Sequence, residues 1–185
     1  MTLVIGDKRG ELAAGLQWGE LGLMLVERLE LGGTIHEAEL LYGIGLIQDR
    51  SGDYDAAEAS LQRALAICIG ELGPGHPEVA RQLNGLGGVH WSRGDYDNAL
   101  ETQLRSLAIV EDALGPDHPE VGRALNNIGL VLTELGDYEG ALEALSEALS
   151  LRQAALGPNH PDVAFTYKAL GASLAGSGAL ERALA

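Results

Sequence analysis

Leu114–Ala155 reads LGPDHPEVGRALNNIGLVLTELGDYEGALEALSEALSLRQAA. Forty-two residues earlier, Leu72–Ala113 reads LGPGHPEVARQLNGLGGVHWSRGDYDNALETQLRSLAIVEDA. A third copy opens at Leu156 with LGPNHPDVA, again after 42 residues and without a gap. Self-similarity at a fixed period of this size predicts an array of supersecondary units. Each unit buries its apolar side only against its neighbours.

The punctuation inside one copy predicts two helices. Gly115 can take the left-handed conformation that ends a helix, and Pro116 blocks continuation. Pro119 suits a first helical position, where a missing N–H costs nothing. His118 then falls at the N-cap, and Glu120 places a carboxylate near the positive end of the helix dipole. The first helix is expected over about 119–134, ended by Gly136. Asp137 is a good N-cap for a second helix over about 138–155. The turn between them is short, so the two helices must be antiparallel neighbours.

Outward from the clear copies, the boundaries fall at 1–30, 31–71, 72–113, 114–155 and 156–185. Residues 1–10 read as a frayed or irregular lead-in. Residues 11–30 read as a degenerate second helix serving as a cap, with Leu12, Leu16, Leu23 and Val26 along one side and Trp18 used in packing. Residues 31–71 are a worn copy, in which Gly45, Gly52, Asp53, Tyr54 and Ala57 precede Gly87, Gly94, Asp95, Tyr96 and Ala99 by the same 42. Residues 156–185 supply one more first helix and the opening of its second, after a last turn, Gly178-Ala179-Leu180, that lacks Asp and Tyr. The first helix of the 72–113 copy holds Gly85, Gly87 and Gly88. Each interior glycine costs about 1 kcal/mol against alanine, so amide exchange is expected to be faster in 77–93 than in 119–134.

Composition narrows the function. The chain is 46% hydrophobic but only 4% aromatic, so its core must be built from Ala, Leu, Ile and Val. The net charge of −15 argues against nucleic acid and against an anionic membrane surface, both of which recruit Lys and Arg. Cys68, the single cysteine, sits among Leu65, Ala66, Ile67 and Ile69 and reads as a small buried hydrophobe. MTLVIGDKRG lacks the basic and apolar regions of a secretory signal, which makes a cytoplasmic setting the default.

Aligned on the Gly-Asp-Tyr turn, the units resemble tetratricopeptide repeats. Gly87 and Gly129 precede the turn glycine by seven residues, Ala99 and Ala141 follow it by five, and Ala64 and Ala148 follow it by twelve. The period of 42, the His-Pro opening and Leu-Asn-Asn-Ile-Gly at 125–129 look like the kinesin-light-chain subtype. Gln103 and Ser106 depart from the pattern, standing where sister copies have Leu61 and Leu145, and Ala64 and Ala148. The resemblance implies an all-α, right-handed α-α superhelix, a solenoid of antiparallel helix pairs.

The resemblance also implies a concave face lined by the first helices. Transferred to this sequence, one column is Tyr42, Asn84, Asn126 and Lys168, and the next is Glu39, Arg81, Arg123 and Phe165. A turn further lie Leu46, Gly88 and Leu130, then Asp49, Trp91 and Thr133. The candidate peptide-binding set is therefore Tyr42, Arg81, Asn84, Trp91, Arg123, Asn126, Leu130 and Lys168. Asn can hydrogen-bond an extended backbone through both ends of its amide. Arg can grip a carboxylate in the guest. The alternative is that Arg81 and Arg123 pair with Glu78 and Glu120, three residues earlier on the same helix.

His76, His118 and His160 recur once per copy, too far apart to share a metal ion, and read as caps. Asp95 with Asp97, and Asp137 with Glu139, repeat with the turn and read as caps rather than as an acid–base pair. No nucleophile elbow, phosphate loop or dinucleotide fingerprint is present, and no cofactor is implied. The expectation is a non-enzymatic protein-interaction module, an adaptor, scaffold or sensing arm, that holds an extended peptide. Two alternatives stand beside it: self-association through the exposed C-terminal repeat, and a fragment of a larger signalling protein.

Overall fold

The structure is a computed structural model that describes residues 2–178. Those residues form eight helices and no strand. They divide into two compact units, Met1–Arg93 and Gly94–Ala185.

The first unit contains α1 (Thr2–Arg28), α2 (Ile35–Ser51), α3 (Tyr54–Leu72) and α4 (Pro77–Arg93). Helix α1 starts at Thr2, so the irregular lead-in expected over residues 1–10 is corrected. Gly6 and Gly10 weaken a helix without forbidding it, and no proline or cap interrupts the run. Along α1, Gly15, Gly19 and Gly22 let the helix approach α2 closely: a Cβ at these positions would lie 2.9, 2.5 and 3.0 Å from Ile47, Ile44 and Leu40. Between α2 and α4, Leu61 of α3 is fully buried and faces glycine on both sides. A Cβ on Gly45 would lie 2.7 Å from its Cγ, and one on Gly85 would lie 3.3 Å from a Cδ. Ala57, Leu61, Leu86 and Val89 form the core here, with Tyr42, Tyr54 and Leu65 packed against it. Cys68 is fully buried, and burial is the main cause holding its thiol above the ordinary value.

The second unit contains α5 (Tyr96–Leu114), α6 (Pro119–Leu135), α7 (Tyr138–Leu156) and α8 (Pro161–Gly176). Gln103 and Ser106 of α5 are buried at the positions that hold Leu and Ala in sister helices. Helices α6 and α7 run antiparallel: Gly122 faces Ala148 and Leu151, while Gly129 faces Ala141 and Leu145. A Cβ on Gly129 would lie 2.5 Å from Leu145 Cγ, which repeats the Gly45–Leu61 contact of the first unit. The second helix expected to open after Gly178 lies outside the described residues.

The caps follow the sequence. Gly136 has φ 81°, its N–H donates to Thr133 O at 3.1 Å, and Asp137 N–H donates to Leu132 O at 2.9 Å. This left-handed closure satisfies the last carbonyls of α6. Asp53 and Asp137 accept from the backbone N–H of Ala56 at 3.2 Å and Gly140 at 3.1 Å. His76, His118 and His160 accept through Nδ1 from the N–H of Glu78, Glu120 and Asp162 at 3.1–3.2 Å. At the worn first copy no side chain accepts from the first turn of α2, and the contacts tie the preceding loop instead. Thr34 donates to Leu31 O at 2.6 Å, and the buried Glu37 reaches back to accept from Gly33 N–H at 2.6 Å while pairing with Arg63.

Candidate functional site

Two of the candidate residues in the first unit come together. The Arg81 guanidinium stacks over the Tyr42 ring, 4.1 Å from its centroid. Arg81 also donates through Nε to Glu78 Oε1 at 2.6 Å, and Gln82 donates to the same oxygen at 2.8 Å. Burial, the largest single influence, lowers the Arg81 pKa, but the hydrogen bond and charge of Glu78, together with Tyr42 and Cys68, hold the guanidinium above its ordinary value. Along α4, Asn84 is half-buried and Trp91 is 43% exposed. Residues 81, 84, 88 and 91 share one side of the helix by their spacing. A Cβ at Gly88 would meet nothing within 4 Å, so this side carries an open step between the Arg81–Tyr42 stack and the Trp91 indole.

The second unit departs from expectation at Asn126. This residue is only 1% exposed and does not line an open surface. Its Oδ1 accepts from Arg152 Nη1 at 3.1 Å and from Thr166 Oγ1 at 2.9 Å. Arg152, 7% exposed, reaches in from α7 and also donates to Thr166 Oγ1 at 2.8 Å and to the Asp162 carbonyl at 3.1 Å. Burial is the largest cause lowering its pKa; Asp162 opposes that shift and the nearby charge of Arg123 adds to it. Reading the first helices alone could not find this residue. The period does mark its place: Cys68 and Val110, 84 and 42 residues earlier, are both buried.

The remaining candidates in the second unit are more accessible. Arg123 is half-buried and donates to Glu120 Oε2 at 2.8 Å, Leu130 is half-buried, and Lys168 is exposed beside Phe165, which is 49% exposed. The alternative pairing of Arg81 with Glu78 and of Arg123 with Glu120 is therefore present. Trp18, expected to pack, is 73% exposed on α1, where Leu21, Met24 and Leu25 continue an apolar strip. The side of α1 that meets α2 is its glycine side, which leaves the indole out.

Among the described residues, no helix is long and apolar enough to cross a membrane.

The family model Tetratricopeptide repeat matches residues 36–112, 82–153 and 120–185. No curated protein matches the chain by sequence. Among solved structures, the kinesin-light-chain-type nearly identical TPR-like repeats of Podosopora anserina (Q17M variant) align with a TM-score of 0.78 at 16% identity, over 96% of this chain and 84% of that one. BtubC (BKLC) from P. vanneervenii aligns with a TM-score of 0.79 at 22% identity, over 93% and 69%. Apo RapI aligns with a TM-score of 0.77 at 21% identity, and this chain spans 47% of its length. At these identities the likeness shows the fold: an all-α array of tetratricopeptide-type helix pairs.

Proposed function

The chain belongs to the tetratricopeptide repeat family, and on that premise we propose that it is a non-enzymatic protein-interaction module holding an extended peptide segment against its first helices. Repeats of this family are generally protein-interaction modules, and the fold is typically non-enzymatic. The observation that carries the finer reading lies on α4. Arg81 stacked on Tyr42, the open step at Gly88 and the half-exposed Trp91 form a polar-then-apolar strip on one helix side. An apolar side chain of the guest rests on Trp91 above Gly88, and the Asn84 amide lies within the same strip. In the second unit Arg123, Leu130 and Lys168 offer the corresponding surface, without Asn126.

An acidic residue in the guest competes with Glu78 for Arg81. Ion pairs at this degree of exposure are worth about 0–1 kcal/mol, so the exchange costs little. The role that fits is an adaptor, a scaffold or the sensing arm of a larger assembly. A cytoplasmic setting suits the single buried thiol.

The test is selection of binders from a displayed peptide library, followed by affinity measurement on wild type, Trp91→Ala and Arg81→Ala. Trp91→Ala is expected to weaken binding about tenfold or more, as loss of an aromatic anchor does. Arg81→Ala should weaken it by a smaller factor that shrinks with added salt. Equal affinity across all three proteins would remove this face from consideration.

A further inference from the structure

The strip on α4 has a second wall, supplied by α2. Helices α2 and α4 both run antiparallel to α3: Gln48 meets Ser60 and Glu37 meets Arg63, while Gly85 faces Leu61 and Arg93 reaches Asp55. The two are therefore parallel to each other, and Tyr42 fixes their register. The Arg81 guanidinium lies 4.1 Å from its ring centroid, and a Cβ on Gly85 would lie 2.9 Å from its Cε2. Seven residues make about two turns of either helix, so the same register brings Asp49 beside Gly88 and Ser92. The open step at Gly88 thus lies between the Asp49 carboxylate on the α2 side and the Trp91 indole on the other.

Among the described residues, the Asp49 carboxylate pairs with no cation. It is half-buried, and its Oδ1 is shut from water and accepts no hydrogen bond. A buried acceptor left unsatisfied costs free energy that an arriving donor recovers. The arginines of α2, α3 and α4 are turned elsewhere. Arg50 lines the hollow between α1 and α2 with Glu11, Leu12 and Ile47. Arg63 pairs with Glu37, Arg81 with Glu78, and Arg93 with Asp55 and Glu58. The chemistry that complements this step is therefore a cation, and the net charge of −15 draws cations towards the chain. We infer that the Gly88 step seats a lysine or arginine side chain of the guest, with its stem on the Trp91 ring and its charged head at Asp49. On the extended-peptide reading, which this assignment requires, the apolar contact with Trp91 is the methylene stem of that side chain. The head then gains a carboxylate and an aromatic face together.

The probes are peptides selected on the full chain from a displayed random library, then labelled and followed by fluorescence anisotropy. The selected set is expected to hold lysine or arginine at one fixed position. Replacing that residue by methionine keeps an apolar stem and removes the charge. The change should weaken binding to wild type about tenfold, as loss of a close charge pair does, and binding to Asp49→Asn by about twofold or less. Unequal losses of this kind mark two groups as partners. Asp49→Asn keeps the shape of the side chain, so its circular dichroism should match wild type. A selected set with no basic position, or equal losses on the two proteins, would overturn the inference. If Trp91→Ala still weakens such peptides, the extended-peptide reading stands and only its basic side chain is lost. If neither Trp91→Ala nor Asp49→Asn changes the affinity of any selected peptide, both fall.

Discussion

Gly129→Val is expected to lower stability by about 3 kcal/mol, near the upper end of the usual cost of overpacking. The first atom of any side chain at this position lands 2.5 Å from Leu145 Cγ and 2.8 Å from one of its Cδ atoms. Leu145 is fully buried and cannot swing into open space. The Ala141 carbonyl of the same facing helix, 3.3 Å from that point, adds a second tight contact. Leu145→Ala, which leaves a cavity instead, should cost a similar amount, about 3 kcal/mol. The double variant carries the stronger statement. Valine at 129 then occupies space that the leucine has vacated, so the two losses should fall short of additive by about 1–2 kcal/mol. Urea unfolding of the four proteins checks this. Strict additivity would mean that Gly129 and Leu145 do not share one packing site.

The second large effect is at Arg152. Arg152→Glu is expected to cost about 4 kcal/mol, because it puts a charge of the wrong sign into a buried site. The groups that now receive Nη1 are the Asn126 amide oxygen, the Thr166 hydroxyl and the Asp162 carbonyl. Two of these can only accept, and a carboxylate brings no proton for them. Arg152→Met should cost less, about 1–3 kcal/mol, since it takes a donor from buried acceptors but leaves no charge behind, and Thr166 still donates to the Asn126 oxygen. The apolar Val110 and the buried thiol of Cys68 already fill the corresponding places in sister copies. Thermal melts followed by circular dichroism distinguish the two variants. A Glu variant as stable as the Met variant would show that the network is not closed to water.

The helix pairs were legible because their ends are written in residues with few uses. Gly136, Asp137 and Pro119 each do what their backbone chemistry predicts, and repetition turns a weak local signal into a firm one. The start of α1 was less legible, since two glycines suggest a break that nothing else enforces. Trp18 shows a related limit: apolar spacing cannot say which side of a helix meets its neighbour. Here the glycine side does, and the indole is left in water.

Site residues were legible where a single helix sets them out and obscured where a neighbouring helix intrudes. Arg81 and Trp91 lie on one side of α4, as the spacing requires. Asn126 has the right column position, but Arg152 comes from another helix and takes its amide oxygen. Glu37 is hidden in the same way: it stands where sister copies have Val79, Val121 and Val163, and only its geometry shows it accepting from Gly33 N–H and pairing with Arg63. A periodic sequence announces its regular positions. The exceptions within the period need three dimensions before their partners can be named.

The account rests on the α4 strip being the surface that meets an extended guest. Hydroxyl-radical footprinting of the chain, with and without a library-selected peptide, tests this most directly, because both tryptophans begin exposed. The expected result is protection of Trp91 by a factor of about five or more, as a ring passing into a desolvated contact requires, with Trp18 unchanged. Unaltered oxidation of Trp91 under saturating peptide would contradict the account.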